Sequence, residues 1–139
     1  MKYWIIVESL NNWNEDKKNL FNLIGFDLNK IKTRGIQDGD IFFTYISKIM
    51  KFSDCRQIIS VKPIVTPITS NYDRKFEYSI KTKIIKELKE ENWISLKYIE
   101  NLLEVFATAS TPAIRLLTAP TEINEYDKNK FFELMRIVD

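Results

Sequence analysis

Apolar positions recur along this chain with two different periods, and the switches between them predict its elements. Tyr3–Glu8 is a nearly unbroken aromatic and β-branched run, the pattern of a buried strand. Beyond it, Asn12 or Asn14 is placed to cap a helix running through Leu23. Glu15 and Asp16 would sit in its electropositive first turn, with Leu20, Phe21, Leu23 and Ile24 as the core face and Gly25 as the stop. Gln37-Asp38-Gly39-Asp40 reads as a tight turn, since glycine takes the positive φ such turns need. Ile41–Ile46 follows with apolar bulk on both of its alternating faces, which suits a barrel wall having a core on one side and a ligand or helix on the other.

Residues 56–65 form a further predicted strand, ended by Pro63 and Pro67, which lack the N–H a ladder requires. Residues 78–85 form another, with Lys81 and Lys83 alternating with Ile80, Thr82 and Ile84. Ser95 is a natural cap for a helix carrying Leu96, Ile99, Leu102, Leu103 and Phe106. Phe131, Leu134, Met135 and Val138 mark a last amphipathic helix. Strands gathered in the middle with helices early and late predict an α+β fold. No linker, repeat or low-complexity tract divides the chain, so residues 1–139 are expected to form a single domain.

Composition removes whole classes of chemistry. The chain has no histidine and a single cysteine, Cys55. An internal disulfide, cysteine- or histidine-based zinc ligation and His-dependent nucleophile pairs are therefore excluded. Cys55 is expected to be inert, and no cofactor or enzymatic activity is expected. A carboxylate pair such as Asp38 and Asp40 around a divalent metal is the residual hydrolase reading, although an ordinary turn explains those residues equally well. No apolar run reaches the length of a membrane span, and the opening segment lacks the features of a signal peptide, so a cytoplasmic protein is expected.

The net charge of +2 conceals an asymmetry. Residues 28–86 hold 12 Lys/Arg against 5 Asp/Glu, a balance of +7, and the remainder carries −5. A basic middle segment fits nucleic-acid phosphates; a solvated lysine-rich surface is the plain alternative.

Lys2-Tyr3-Trp4-Ile5-Ile6-Val7, then Asn12-Trp13, then Gly39-Asp40 leading into Phe43 and Tyr45, and a final helix with Phe132 and Leu134, come in a telling order. Together they resemble the EVE domain, a branch of the PUA-like superfamily related to YTH domains. The resemblance spans nearly the whole chain and implies a PUA-like curved β-barrel flanked by helices. It also implies an aromatic pocket that reads one flipped or single-stranded base, modified by methylation or otherwise, in RNA or DNA. On that resemblance Trp13 and Tyr45 are cage candidates, with Phe43 third and Glu8 a candidate for the base edge. Lys30, Lys32 and Arg34, ahead of the Gly-Asp turn, are candidate phosphate contacts, and Arg115 is a candidate for the pocket mouth. Each has a structural alternative: core packing for the rings, surface solvation or a salt bridge for the cations. Trp4 is expected in the core and Trp93 in helix packing. The chain departs from many relatives in having Ile24 before Gly25 where they have tryptophan. That difference implies another ligand, or a degenerate pocket in a protein-interaction module or homodimer.

Overall fold

The computed structural model describes residues 1–67, 72–73, 76–107 and 115–138. Strand β1 (Tyr3–Glu8) leads into helix α1 (Leu10–Lys18), strand β2 (Leu23–Gly25) and helix α2 (Leu28–Arg34). Strands β3 (Ile41–Ile46), β4 (Lys51–Val65), β5 (Tyr78–Glu87) and β6 (Ile94–Ser95) follow. The one-turn helix α3 (Leu96–Ile99), strand β7 (Thr121–Ile123) and helix α4 (Glu125–Met135) complete them. The fold is α+β, as expected. Its mixed sheet runs β2-β5-β4-β3-β1-β7, with β6 beside β4, and β2 and β7 stand at opposite ends of the path. β1 and β3 pair in parallel; the other ladders are antiparallel.

Side-chain alternation along β1 and β3 fills a core on each face of the sheet. Ile5, Phe43 and Tyr45 belong to one core, together with Phe131, Phe132 and Met135 of α4. Trp4, Ile6 and Phe42 belong to the other, together with Ile24, Ile31 and Ile80. All six residues of β3 are buried, so both of its apolar faces are covered by this chain's own side chains. Trp4 lies in the core as expected and donates from Nε1 to Asp40 (3.0 Å). Asp40 also accepts the backbone amides of Lys2 (2.9 Å) and Gln37 (3.0 Å), so its carboxylate pins the turn to the start of β1. Asp38 accepts the Val61 amide (2.7 Å). Among the described residues no group of three or more acidic or cysteine side chains could hold a metal ion.

The first helix begins and ends earlier than its pattern predicts. Ser9 is the cap, its Oγ accepting the Asn12 amide (3.2 Å). After Lys18, Leu20 and Phe21 adopt left-handed backbone, with φ of 58° and 57°. Leu23–Gly25 is thereby freed to pair with β5, Ile24 opposite Ile80. This tertiary pairing overrides a helical-looking spacing. β4 is longer than expected: it starts at Lys51 and carries Pro63 within a region of shifted register. Ser95 does cap its helix through the Tyr98 amide (3.2 Å), but α3 lasts only to Ile99. Leu103 and Phe106 reach the core from the segment beyond it. α4 is capped by Asn124 and ends before Val138, which is exposed. No helix among the described residues is long and apolar enough to cross a membrane.

Candidate functional site

The site begins where two adjacent strands stop matching in length. β7 pairs with Tyr3, Trp4 and Ile5 and then ends, while β1 continues to Glu8. Ile41 donates to the Lys2 carbonyl (3.1 Å) and Ser47 to the Glu8 carbonyl (2.9 Å), so the even-numbered residues of β1 bond to β3. By the alternation of a parallel ladder, Val7 turns its amide and carbonyl the other way, where no strand lies opposite among the described residues. A cleft of about 400 Å³ opens along this edge. Ile6, Val7 and Glu8 line one side; Ile24, Gly25 and Phe26 line another. Tyr72 and Phe76 add two further rings, and Leu116, Leu117 and Pro120 form an apolar lip.

Glycine at position 25 has a steric cause. A Cβ there would lie 2.8 Å from Phe76 Cδ2 and 3.2 Å from its Cβ, so only a bare backbone lets that ring pack so closely over β2. Asp73 is fastened to the start of α1: its amide donates to Asn12 Oδ1 (2.7 Å), and its carboxylate accepts from Ser9 Oγ (3.2 Å) and Asn11 Nδ2 (3.0 Å).

Beneath the floor lies a charge cluster centred on Arg56, which is fully buried. Its Nε donates to Asp54 (2.9 Å), Nη1 to Asp16 (2.8 Å) and Nη2 to Glu8 (3.1 Å) and Asp54 (3.2 Å). The guanidinium carbon lies 4.7 Å from the Phe21 ring centre and 5.6 Å from that of Phe42. Asp54 also accepts from Trp13 Nε1 (2.7 Å), Thr44 (2.8 Å) and Ser53 (3.0 Å), and Asp16 accepts the Tyr72 hydroxyl (3.0 Å). One chain of hydrogen bonds thus joins the cleft wall at Tyr72 to its floor at Glu8.

Three carboxylates around one guanidinium leave an excess of buried negative charge. Burial raises the Glu8 pKa well above its ordinary 4.5, only partly opposed by Arg56 and reinforced by the Asp16 charge and hydrogen bond. A proton on Glu8, shared with Asp16, would relieve part of that excess. Burial would lower the Arg56 pKa, but the Asp54, Glu8 and Asp16 charges outweigh it and raise it further. The Cys55 thiol is pushed up by burial and by Asp54, which keeps it un-ionised, in line with an inert residue.

A raised carboxyl pKa has a definite sign in stability. Above the unfolded value the native state holds a proton that the unfolded chain has lost, so the contribution of Glu8 falls as pH rises from about 4.5 through its raised pKa. Glu8→Gln is expected to remove that part of the slope, and urea midpoints taken across this pH range for both proteins would measure it.

The expected cage rings lie elsewhere. Trp13 is buried against Phe21 (5.7 Å between ring centres) and Trp93 (5.1 Å). Phe43 stacks on Phe131 at 4.2 Å, and Tyr45 packs on Phe52 at 5.1 Å. None of the three lines the cleft. This corrects the expected cage: α4 and the 93–106 region cover the face of the sheet that these rings occupy. Glu8 does reach the cleft. Lys30 lines it too, but its ammonium donates to the Ala119 carbonyl (3.0 Å), and Arg34 donates to the Pro120 carbonyl. Both cations thus clamp the cleft lip to α2 instead of standing free for phosphate. Lys32 is exposed on α2, and Arg115 is exposed just before the lip. Phe26, Tyr72, Phe76 and Asp73 line the cleft without standing out in the sequence as site residues. The signal for Phe26 was its position after Gly25; for Arg56 it was an arginine two residues from Asp54 on one strand, hence on the same face.

No protein family and no curated protein matches the chain in sequence. Solved structures do match its shape. Rpa0253 from Rhodopseudomonas palustris superposes with a TM-score of 0.64 at 13% identity, covering 100% of this chain and 96% of that one. The YTH domain of the Zygosaccharomyces rouxii MRB1 protein, solved in complex with N6-methyladenosine RNA, superposes with a TM-score of 0.66 at 13% identity, covering 99% of this chain and 88% of that one. The Pho92 YTH domain in complex with m6A gives 0.59 at 14% identity, with coverage of 99% and 87%. At such identities the likeness is one of fold, and the chain has the fold that these YTH domains share.

Proposed function

We propose that this chain is a nucleic-acid-binding module of the PUA-like type, close to EVE domains, that admits one modified base into the cleft beside β1 and makes or breaks no bond. The observation that carries the reading is the cleft itself: largely apolar, walled by Phe26, Tyr72 and Phe76, and edged by Val7, opposite whose backbone no strand lies among the described residues. Rings can stack on any base, and peptide amide and carbonyl groups can read a hydrogen-bonding edge. The shared fold with domains solved in complex with N6-methyladenosine RNA or with m6A supports the same reading. The shifted registers of β4 are the devices that would let the sheet curl toward a barrel.

Fluorescence anisotropy with short labelled RNA and DNA strands, each carrying one modified or unmodified base, tests the proposal. Binding that depends on the modification is expected. Gly25→Ala is expected to weaken it several-fold, because the new methyl group displaces the Phe76 ring. Binding indifferent to both the modification and this substitution would count against the cleft.

A further inference from the structure

The charges lining the cleft are lopsided. Among the described residues, Glu8, Asp27 and Asp73 face it against the single cation Lys30, whose ammonium is held by the Ala119 carbonyl. The cluster below adds Asp16 and Asp54 against one guanidinium. Phe26, Tyr72 and Phe76 are among the lining side chains, and a bound cation meeting a ring face gains from its negative quadrupole. Resting on the proposed reading, and going beyond it, we propose that the cleft selects a planar heterocycle bearing a fixed positive charge, a base methylated on a ring nitrogen, over its neutral isomers.

The protonation of Glu8 fits this choice. Burial and the neighbouring Asp16 and Asp54 charges raise the Glu8 pKa; a cationic base over the floor would act against that shift and favour the carboxylate. Glu8 is faced by Arg56 and Asp54 from β4, by Asp16 from α1, by Tyr72 through Asp16, and by Ser47 at its carbonyl. Of these, Arg56 is the only cation, and the Asp54 and Asp16 carboxylates hold it from the far side.

Two isomers of equal size differ in charge. RNA strands carrying 1-methyladenine, cationic at neutral pH, or N6-methyladenine, neutral, are titrated by anisotropy at pH 7 and at pH 5. The cationic base is expected to bind about tenfold tighter at pH 7, with the gap narrowing at pH 5 as Glu8 holds its proton more firmly. Asp73→Asn, an exposed change that leaves the core intact, and Glu8→Gln should each shrink the preference. If N6-methyladenine binds as well or better, or if the preference survives both substitutions, the charge inference falls while the reader function stands. If neither strand binds, and a panel of other modified bases also fails, both fall together.

Discussion

Arg56→Met is expected to leave the chain unfolded at neutral pH. Breaking a buried ion pair from one side costs about 3–5 kcal/mol, and here one residue serves three carboxylates at once. Typical domains have only about 5–15 kcal/mol of stability in total. Arg56→Lys should rescue little, because an ammonium is a point donor that cannot reproduce a planar fork contacting Asp54, Asp16 and Glu8 together. The damage has a pH signature. Glu8, whose pKa burial already raises, would lose the one charge that opposes that shift, so the penalty grows as pH rises through its raised value and is relieved as pH falls. Circular dichroism and urea titration at pH 7 and pH 4 would show Arg56→Met regaining structure at the lower pH, while the parent protein does not need it. A variant with the parent's midpoint at pH 7 would mean that the cluster contributes nothing to folding.

That arginine also marks how far sequence alone reaches. The strands Tyr3–Glu8 and Ile41–Ile46 are legible because their local composition and their tertiary role agree: each is buried on both faces. Leu20, Phe21, Leu23 and Ile24 imitate a helix face, yet two of them take left-handed backbone and the others enter a strand. The deciding partner, Ile80, is remote in sequence, so no local pattern reveals it. Alternation places Phe43 and Tyr45 on one face correctly but does not say what covers that face; Phe131 and Phe52 do. Glu8 is conspicuous as an acid in an apolar strand, and it does reach the cleft. Its partner is not legible, because Arg56 lies two strands away across the sheet. Lys30 and Arg34 carry the charge expected of phosphate ligands, but nearby carbonyls of the 119–120 segment claim both.

The sharpest separation of core from site comes from removing one ring of each kind. Phe76→Ala is expected to weaken binding of the favoured oligonucleotide by about 5- to 150-fold, the loss of one stacking contact worth about 1–3 kcal/mol. Phe76 is only partly buried, so its loss should lower stability by about 1 kcal/mol, leaving the chain folded at room temperature. Trp13→Ala should do the reverse. It empties a buried site between Phe21 and Trp93, at a cost of about 3–5 kcal/mol, and takes a hydrogen bond from Asp54 inside the charge cluster. Its binding defect should therefore follow the unfolded fraction, and what remains folded should bind like the parent. Thermal melts and anisotropy titrations on the same two samples give both readouts. The opposite crossing, with Trp13→Ala stable but blind to the base and Phe76→Ala binding normally, would move the recognition site off the β1 edge and back to the rings that the sequence first singled out.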